Sequence, residues 1–130
     1  MNDKKLKEKM EKSGFINNNN YNIIEVVENK KAIVKGIITE TSNNPYDMVH
    51  GGFIFGLGDT AMGIAAASTG RKAVTLQASI NYLKPSNGKY LIAEAEIIKS
   101  GKTICYLKTN IVNDKKEIVA TMESNYYFVK

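Results

Sequence analysis

Cysteine and histidine are almost absent from this sequence: its 130 residues contain one of each, Cys105 and His50. A single thiol excludes a disulfide within the chain and a metal site built on clustered cysteines, and it indicates a reducing compartment. A single histidine leaves no convincing set of serine, histidine and acid, which argues against a serine hydrolase mechanism.

The sequence also lacks the marks of export and of a second domain. Residues 1–14 are charged and have no apolar core typical of a signal peptide, so we expect a cytoplasmic protein. With 43% apolar and 24% charged residues and no long biased tract, the chain fits a single globular domain over residues 1–130.

The positive charge shows no pattern typical of a nucleic-acid surface. The formal net charge is +5, but the lysines are scattered among 13 acidic residues and form no helical stripe interleaved with aromatics. A nucleic-acid partner is therefore disfavoured. A basic rim that attracts a phosphorylated small molecule fits the same charge, and the sequence alone does not separate the two.

Charge is missing from one long stretch. Residues 51–70, GGFIFGLGDTAMGIAAASTG, contain a single charged side chain, Asp59. Their glycines, the central aspartate and the lack of a flanking aromatic belt favour a buried helix over a membrane span, so no membrane partner is expected. A lone carboxylate in an apolar helix costs folding free energy unless it is paired or solvated. Asp59 is therefore the first catalytic candidate, with a purely structural buried acid as the alternative.

The remaining segments alternate between helical and strand-like periods. Charges at helical spacing predict a short N-terminal helix within residues 1–14, and the asparagines at 17–20 predict a polar connector. Apolar and β-branched residues at a period of two predict strands elsewhere. The predicted strands are 21–28, 32–39, 72–84, 90–99, 103–112 and 117–130.

The order of these elements predicts an α+β fold. One antiparallel β-sheet of about six strands would wrap around the long central α-helix formed by the apolar stretch. A sheet of that size leaves part of the helix and at least one edge exposed. Pairing with a second copy of the chain would cover both.

From about residue 30 onward, the chain carries a series of motifs. They are Asn44, His50-Gly51-Gly52, Asp59, Ile80 to Pro85, Ala93-Glu94-Ala95 and Lys99 to Lys102. This series resembles the hotdog-fold thioesterases, specifically the phenylacetic-acid-degradation (PaaI-like) branch. The resemblance implies a hotdog subunit, a homodimer that assembles to a homotetramer, and hydrolysis of acyl-coenzyme A thioesters. It implies no metal and no cofactor apart from the coenzyme A of the substrate.

Thioester hydrolysis needs a donor that stabilises negative charge on the carbonyl oxygen and an oxygen nucleophile for the carbonyl carbon. A helix that begins at His50-Gly51-Gly52 presents free backbone N–H groups and the positive end of its dipole. Gly51 matches the family's oxyanion donor and is the candidate for that role. Asp59 is the candidate for general base or direct nucleophile, and the sequence does not choose between them.

Gly51 and Asp59 are eight residues apart on one predicted helix, which separates them by roughly 12 Å along its axis. One carbonyl cannot contact both groups of the same subunit. If both are catalytic, Gly51 of one subunit must meet Asp59 of another across a two-fold axis. The mechanism therefore requires a dimer.

Three further candidates come from the resemblance. Asn44 matches an amide that places the thioester or the attacking water, with a loop-forming asparagine as the alternative. Thr75 matches a hydroxyl near the aspartate, with an ordinary strand threonine as the alternative. His50 completes the candidate catalytic set, although a helix-entry side chain bonded to the backbone is favoured over an acid–base role.

The sequence is thus interpreted as an acyl-CoA thioesterase that converts an acyl-CoA to a carboxylic acid and free coenzyme A. Two alternatives stay open. One is a non-catalytic hotdog protein that binds acyl-CoA, and the other is a dehydratase or hydratase of acyl thioesters, for which only His50 is available as the histidine. The length and nature of the acyl group are not determined by the sequence.

Overall fold

β-Branched and aromatic residues recur at alternate positions after residue 20, and in the computed structural model, which describes residues 3–130, they form six strands. The helices and strands have the following bounds: α1 Asp3–Met10, α2 Gly14–Asn18, β1 Tyr21–Val27, β2 Lys31–Ile37, α3 Gly51–Ala67, β3 Ala73–Tyr82, β4 Tyr90–Ser100, β5 Ile104–Asn113 and β6 Ile118–Phe128. A short 3-10 turn, Glu40–Ser42, lies between β2 and α3.

The strands pair in the order β1-β2-β4-β5-β6-β3, and every neighbouring pair is antiparallel. The long helix α3 packs against the concave side of this sheet and contacts all six strands. The predicted α+β architecture, a six-stranded antiparallel sheet around a central helix, is confirmed. The edge strands are β1 and β3, so β3 has one side free of backbone pairing among the described residues.

Helix α3 is buried because its sequence is apolar on nearly every face. Leu57, Ala61 and Met62 are fully buried against the sheet. The sheet comes so close at Gly58 that a Cβ atom there would lie 2.1 Å from Met122 Sδ. Any larger residue at that position would force the Met122 side chain to shift. Among residues 3–130, no helix combines the length and the hydropathy needed to cross a membrane.

The N-terminal segment differs in part from the prediction. Helix α1 lies within the predicted residues 1–14, of which residues 1–2 are outside the described part. The expected polar connector at 17–20 is wrong for Asn17 and Asn18, which belong to α2. Ser13 caps this short helix by accepting a hydrogen bond from the Ile16 N–H at 3.4 Å, and the Ile16 side chain is buried in the core. The cap and the buried side chain offset the weak helix propensity of asparagine.

Edge strand β3 exposes apolar side chains to an unusual degree. Val74 is 48% exposed and Leu76 is 60% exposed. Exposed apolar residues on a long, unpaired strand edge are a ready surface for pairing with another chain.

Candidate active site

Asp59 lies on the third turn of α3, where its carboxylate faces the edge strand β3 and the neighbouring strand β6. Thr75 Oγ1, on β3, donates a hydrogen bond of 2.9 Å to Asp59 Oδ1. Tyr126 Oη, on β6, lies 2.6 Å from the Asp59 backbone oxygen and within hydrogen-bond distance of Oδ1. Within residues 3–130 no hydrogen bond reaches Asp59 Oδ2. One carboxylate oxygen is therefore held and the other is free to act on a ligand.

Tyr126 is not among the site residues predicted from the sequence. Burial, and then the nearby charge and hydrogen bond of Asp59, raise the pKa of this phenol well above its usual range. Burial and the charge of Asp59 likewise raise the pKa of Tyr21, whose hydroxyl donates to the Phe53 carbonyl at 2.7 Å. Both phenols thus stay protonated near neutral pH, and Tyr126 can act as a permanent donor to Asp59.

A signal for Tyr126 was present in the sequence. Ser124, Tyr126 and Phe128 alternate along β6 and are all buried, so they face α3. A tyrosine whose ring points at a helix carrying a lone acid has a hydroxyl that needs a partner. The alternation indicates which face of β6 is buried, but only the fold brings this hydroxyl to Asp59.

The start of α3 forms a second group of polar atoms. His50 is the N-cap residue, and its Nδ1 accepts a 2.7 Å hydrogen bond from the Gly52 N–H. The N–H groups of Phe53 and Ile54 bond to the His50 carbonyl. The Gly51 N–H, by contrast, has no hydrogen-bond partner in the described part of the chain. It is therefore available to a ligand at the positive end of the helix dipole.

Asn44 and Tyr82 surround this helix start. Asn44 Oδ1 accepts hydrogen bonds from the N–H groups of Tyr46 and Met48, as a loop-forming asparagine does, while its Nδ2 group has no acceptor among residues 3–130. Tyr82 Oη donates to the Gly51 carbonyl at 2.8 Å. The Asn44 side chain thus stabilises its loop through Oδ1, and its Nδ2 group can still donate a hydrogen bond to a ligand.

Two separate cavities contain these two groups. A cavity of about 550 Å³ is lined by Asp59 and Tyr126, and another of about 400 Å³ is lined by Asn44, Gly51 and Tyr82. In one subunit, the structure therefore brings Thr75 to Asp59 and Asn44 to Gly51, but it does not bring the two pairs together. His50 stays at the helix start, with its Nδ1 occupied by the Gly52 N–H.

The two pairs are linked through β3. Thr75, near the beginning of β3, contacts Asp59, and Tyr82, at its end, contacts Gly51. The helix α3 and the edge strand β3 therefore run antiparallel, and each end of the strand is tied to one of the two candidate groups. Across residues 3–130, no three His, Cys, Asp or Glu side chains lie together in a way that could hold a metal ion.

Comparison with protein families gives one match relevant to this geometry. The model of the thioesterase superfamily matches residues 46–120, which is more than half of the chain. The matched range includes His50, Gly51, Asp59 and Thr75. It leaves out Asn44, Tyr126 and the helices α1 and α2.

Individual relatives agree with that match. The acyl-coenzyme A thioesterase PaaI of Escherichia coli K12 is 34% identical over 90 residues, which are 68% of this chain and 64% of that protein. The solved structure of E. coli PaaI, from the phenylacetic acid degradation operon, has a TM-score of 0.89 and 27% identity over 95% of this chain and 89% of its own. A putative esterase of Archaeoglobus fulgidus is 33% identical over 100 residues, which are 75% of this chain, and this alignment too spans 64% of the relative.

A third comparison concerns a structure with a ligand. A hypothetical thioesterase of Streptococcus pneumoniae, solved with coenzyme A, has a TM-score of 0.80 and is 31% identical. The alignment covers 85% of this chain and 86% of the streptococcal chain.

Proposed function

The chain belongs to the thioesterase superfamily and has the hotdog fold of its PaaI relatives, and from this premise we propose that it hydrolyses acyl-coenzyme A thioesters. The products are a carboxylic acid and free coenzyme A. The observation that carries the proposal is the state of Asp59, whose Oδ1 is held by Thr75 while its Oδ2 lacks a partner among residues 3–130. Curated and solved relatives described as an acyl-CoA thioesterase and as a coenzyme A complex support the substrate class.

The proposed site needs two subunits. Gly51 and Asp59 line different cavities of one subunit, and eight helical residues separate them by roughly 12 Å. Because the groups of one subunit cannot share a carbonyl, the oxyanion donor comes from the Gly51 N–H of the second subunit. Two such sites then arise in each symmetric dimer.

The exposed edge of β3 supports a specific way to pair the subunits. If two β3 strands pair antiparallel about a two-fold axis, the Tyr82 end of one lies beside the Thr75 end of the other. Tyr82 contacts Gly51 and Thr75 contacts Asp59. Such pairing therefore brings Gly51 of one subunit toward Asp59 of its partner, as the chemistry requires. Assembly of dimers to a homotetramer and a cytoplasmic location remain predictions.

The reaction can follow two routes from this arrangement. In one, Asp59 takes a proton from water while the water oxygen bonds to the carbonyl carbon. The tetrahedral oxyanion accepts a hydrogen bond from the partner's Gly51 N–H, the carbon–sulfur bond breaks, and the proton passes to the departing thiolate. In the other, Asp59 itself attacks, expels the thiolate as a mixed anhydride forms, and water then hydrolyses the anhydride.

The neighbouring side chains have supporting roles in both routes. Thr75 and Tyr126 are positioning residues, because they fix the orientation of the Asp59 carboxylate through hydrogen bonds. The free amide Nδ2 of Asn44 donates to the thioester or to the attacking water. His50 acts as the cap of α3 and holds the helix start that presents Gly51.

The test is release of free thiol from acyl-CoA substrates, measured with a thiol reagent. Wild-type protein is expected to release coenzyme A, and Asp59→Asn is expected to lower kcat by about 10² to 10⁴, with the melting temperature and coenzyme A binding retained. Asp114→Asn, the same change in the β5–β6 turn, is the matched control and keeps full activity. Binding without thiol release would instead identify an acyl-CoA-binding protein, and hydration or dehydration of an acyl thioester without thiol release would identify a hydratase or dehydratase.

A further inference from the structure

The cavity of about 550 Å³ beside Asp59 is larger than the proposed chemistry needs. Its floor is the second half of α3, and its cover is the N-terminal segment formed by α1 and α2. Both helices turn side chains toward it, including Leu6, Met10, Phe15 and Ile16. We call this space, with Asp59 at its wall, the N-terminal cavity.

Asp59 lies at one end of the cavity floor. Gly63 and Ala67 follow it at intervals of four residues, so they lie on the same face of α3. Neither has a side chain large enough to fill the space above that face. Ala67, the last residue of α3, is separated from Asp59 by two turns, or roughly 12 Å along the axis.

The cavity is lined mainly by apolar side chains from α1, α2 and α3, among them Ile64 and Ala67. Lys9 and Lys72 are also lining residues, and neither makes an ion pair in the described part of the chain. Arg71 is engaged elsewhere: it donates to the carbonyls of Gly101 and Lys102 and stacks on the Phe128 ring. The interior therefore favours an uncharged, apolar group.

The cover of this cavity lies outside the residues that the superfamily model matches, although the alignment with the E. coli PaaI structure covers 95% of this chain and so extends into it. Helices α1 and α2 precede residue 46, where that match begins. Leu6 and Ile16 anchor the two helices in the core, and Phe15 remains 59% exposed at the cavity. Gly51, Asp59 and Thr75 thus lie in the matched range, and the cover of the cavity lies before it.

We propose that the N-terminal cavity holds the acyl group of the thioester, and that α1 and α2 select apolar acyl groups of about eight to ten carbons over acetyl. An extended chain advances roughly 1.3 Å per carbon, from its bond lengths and angles. About nine carbons therefore reach from the Asp59 carboxylate to Ala67. This inference rests on the proposed function, because it assigns a binding cavity to the acyl group of the same acyl-CoA substrate.

Ala67 is the position at which to test the length limit. A larger side chain there narrows the far end of the cavity without touching Asp59. Gly63 is unsuitable, because a Cβ atom at that position would lie 3.3 Å from Tyr126 Oη, which holds the carboxylate. Met10→Ala tests the cover instead, and Glu8→Ala is its matched control, since Glu8 is exposed on α1 and does not line the cavity.

The experiment compares kcat/KM for acetyl-, butyryl-, octanoyl- and decanoyl-CoA. The wild type is expected to favour octanoyl- and decanoyl-CoA over acetyl-CoA. Ala67→Phe should lower kcat/KM for decanoyl-CoA at least about tenfold and change that for butyryl-CoA less than about threefold. Met10→Ala should lower the values for the two long substrates only, and Glu8→Ala should change none.

Each other result contradicts the inference. A wild type that prefers acetyl-CoA, or an Ala67→Phe variant that loses activity equally on all four substrates while keeping its melting temperature, overturns the acyl assignment and leaves the thioesterase proposal standing. If Ala67→Phe does not fold, an unchanged chain-length preference in Met10→Ala overturns it. Absence of thiol release from every substrate overturns the thioesterase proposal itself, and this inference with it.

Discussion

Gly51 and Asp59 lie on the same helix but open into two different cavities of the subunit. Each is tied to a different end of the edge strand β3, Gly51 through Tyr82 and Asp59 through Thr75. In the proposed dimer, α3 of each subunit would therefore supply Asp59 to one site and Gly51 to the other. The exposed edge of β3 is the interface that we propose between the two subunits.

The role of the Gly51 N–H can be tested by a residue that has no backbone N–H. Proline has no N–H and is well tolerated at the first position of a helix. The preceding residue, His50, already has the extended conformation that a following proline demands, with φ −64° and ψ 137°. Gly51→Pro is expected to lower kcat by about 10² to 10³, the usual effect of losing one oxyanion donor.

Gly51→Ala is the control for this change. It adds a Cβ atom, which would lie 3.2 Å from Tyr82 Oη, but keeps the N–H. Thiol-release kinetics should therefore show a much smaller loss for alanine than for proline. Equal losses in the two variants would mean that crowding against Tyr82, and not the lost donor, limits the reaction.

The buried tyrosines predict how stability depends on alkaline pH. Burial raises the pKa of Tyr126 in the folded protein above its ordinary value near 10. Below pH 10 both states keep the proton, and the contribution of the phenol to stability is complete. Above pH 10 the unfolded chain loses its proton first, so the free energy of unfolding falls by up to about 1.4 kcal/mol per pH unit for this one group.

Urea denaturation between pH 9 and pH 11.5 measures that fall. Tyr126→Phe should show a shallower decline than the wild type above pH 10, whatever its stability at neutral pH. Tyr46→Phe, at a tyrosine that is 78% exposed, is the matched control and should decline as the wild type does. A Tyr126→Phe slope equal to that of the wild type would contradict the burial and charge argument.

The proposed pairing of two β3 strands gives a prediction for the oligomeric state. Leu76 is 60% exposed on edge strand β3, and Ile24 is 51% exposed on the opposite edge strand, β1. A lysine on an edge strand blocks pairing with another chain. Leu76→Lys is therefore expected to shift the protein to monomers and to abolish thiol release.

Ile24→Lys provides the comparison, since it places the same charge on the other edge. Sedimentation velocity should show a dimer, or the tetramer predicted from it, for Ile24→Lys and a monomer for Leu76→Lys. A dimer in both variants, or full activity in a Leu76→Lys monomer, would show that β3 is not the subunit interface that forms the active site.

The strands and the central helix followed from local pattern. Each strand boundary in the structure lies within two residues of the predicted one, because alternation of apolar residues and the turn residues between strands are both local signals. Helix α2 was missed because asparagines 17 and 18 have weak helix propensity. The burial of Ile16, a tertiary contact, decides their conformation.

Residue pattern and motif spacing predicted part of the candidate site. The lone acid of the apolar helix identified Asp59, and the resemblance identified Gly51, Asn44 and Thr75. The contact between Tyr126 and Asp59 joins residues 67 positions apart, and no local pattern specifies such a contact. The division of the site between two cavities likewise depends on which strand ends meet the helix.

The most direct test of the shared site is complementation between two inactive variants. Gly51→Pro and Asp59→Asn are each prepared as homodimers, then unfolded and refolded together. If Gly51 of one subunit serves Asp59 of the other, a mixed dimer contains one intact site, and the statistical mixture should recover about a quarter of wild-type thiol release. If both groups serve the same subunit's site, every site in the mixture stays defective. Activity no higher than that of the separate variants would then contradict the account.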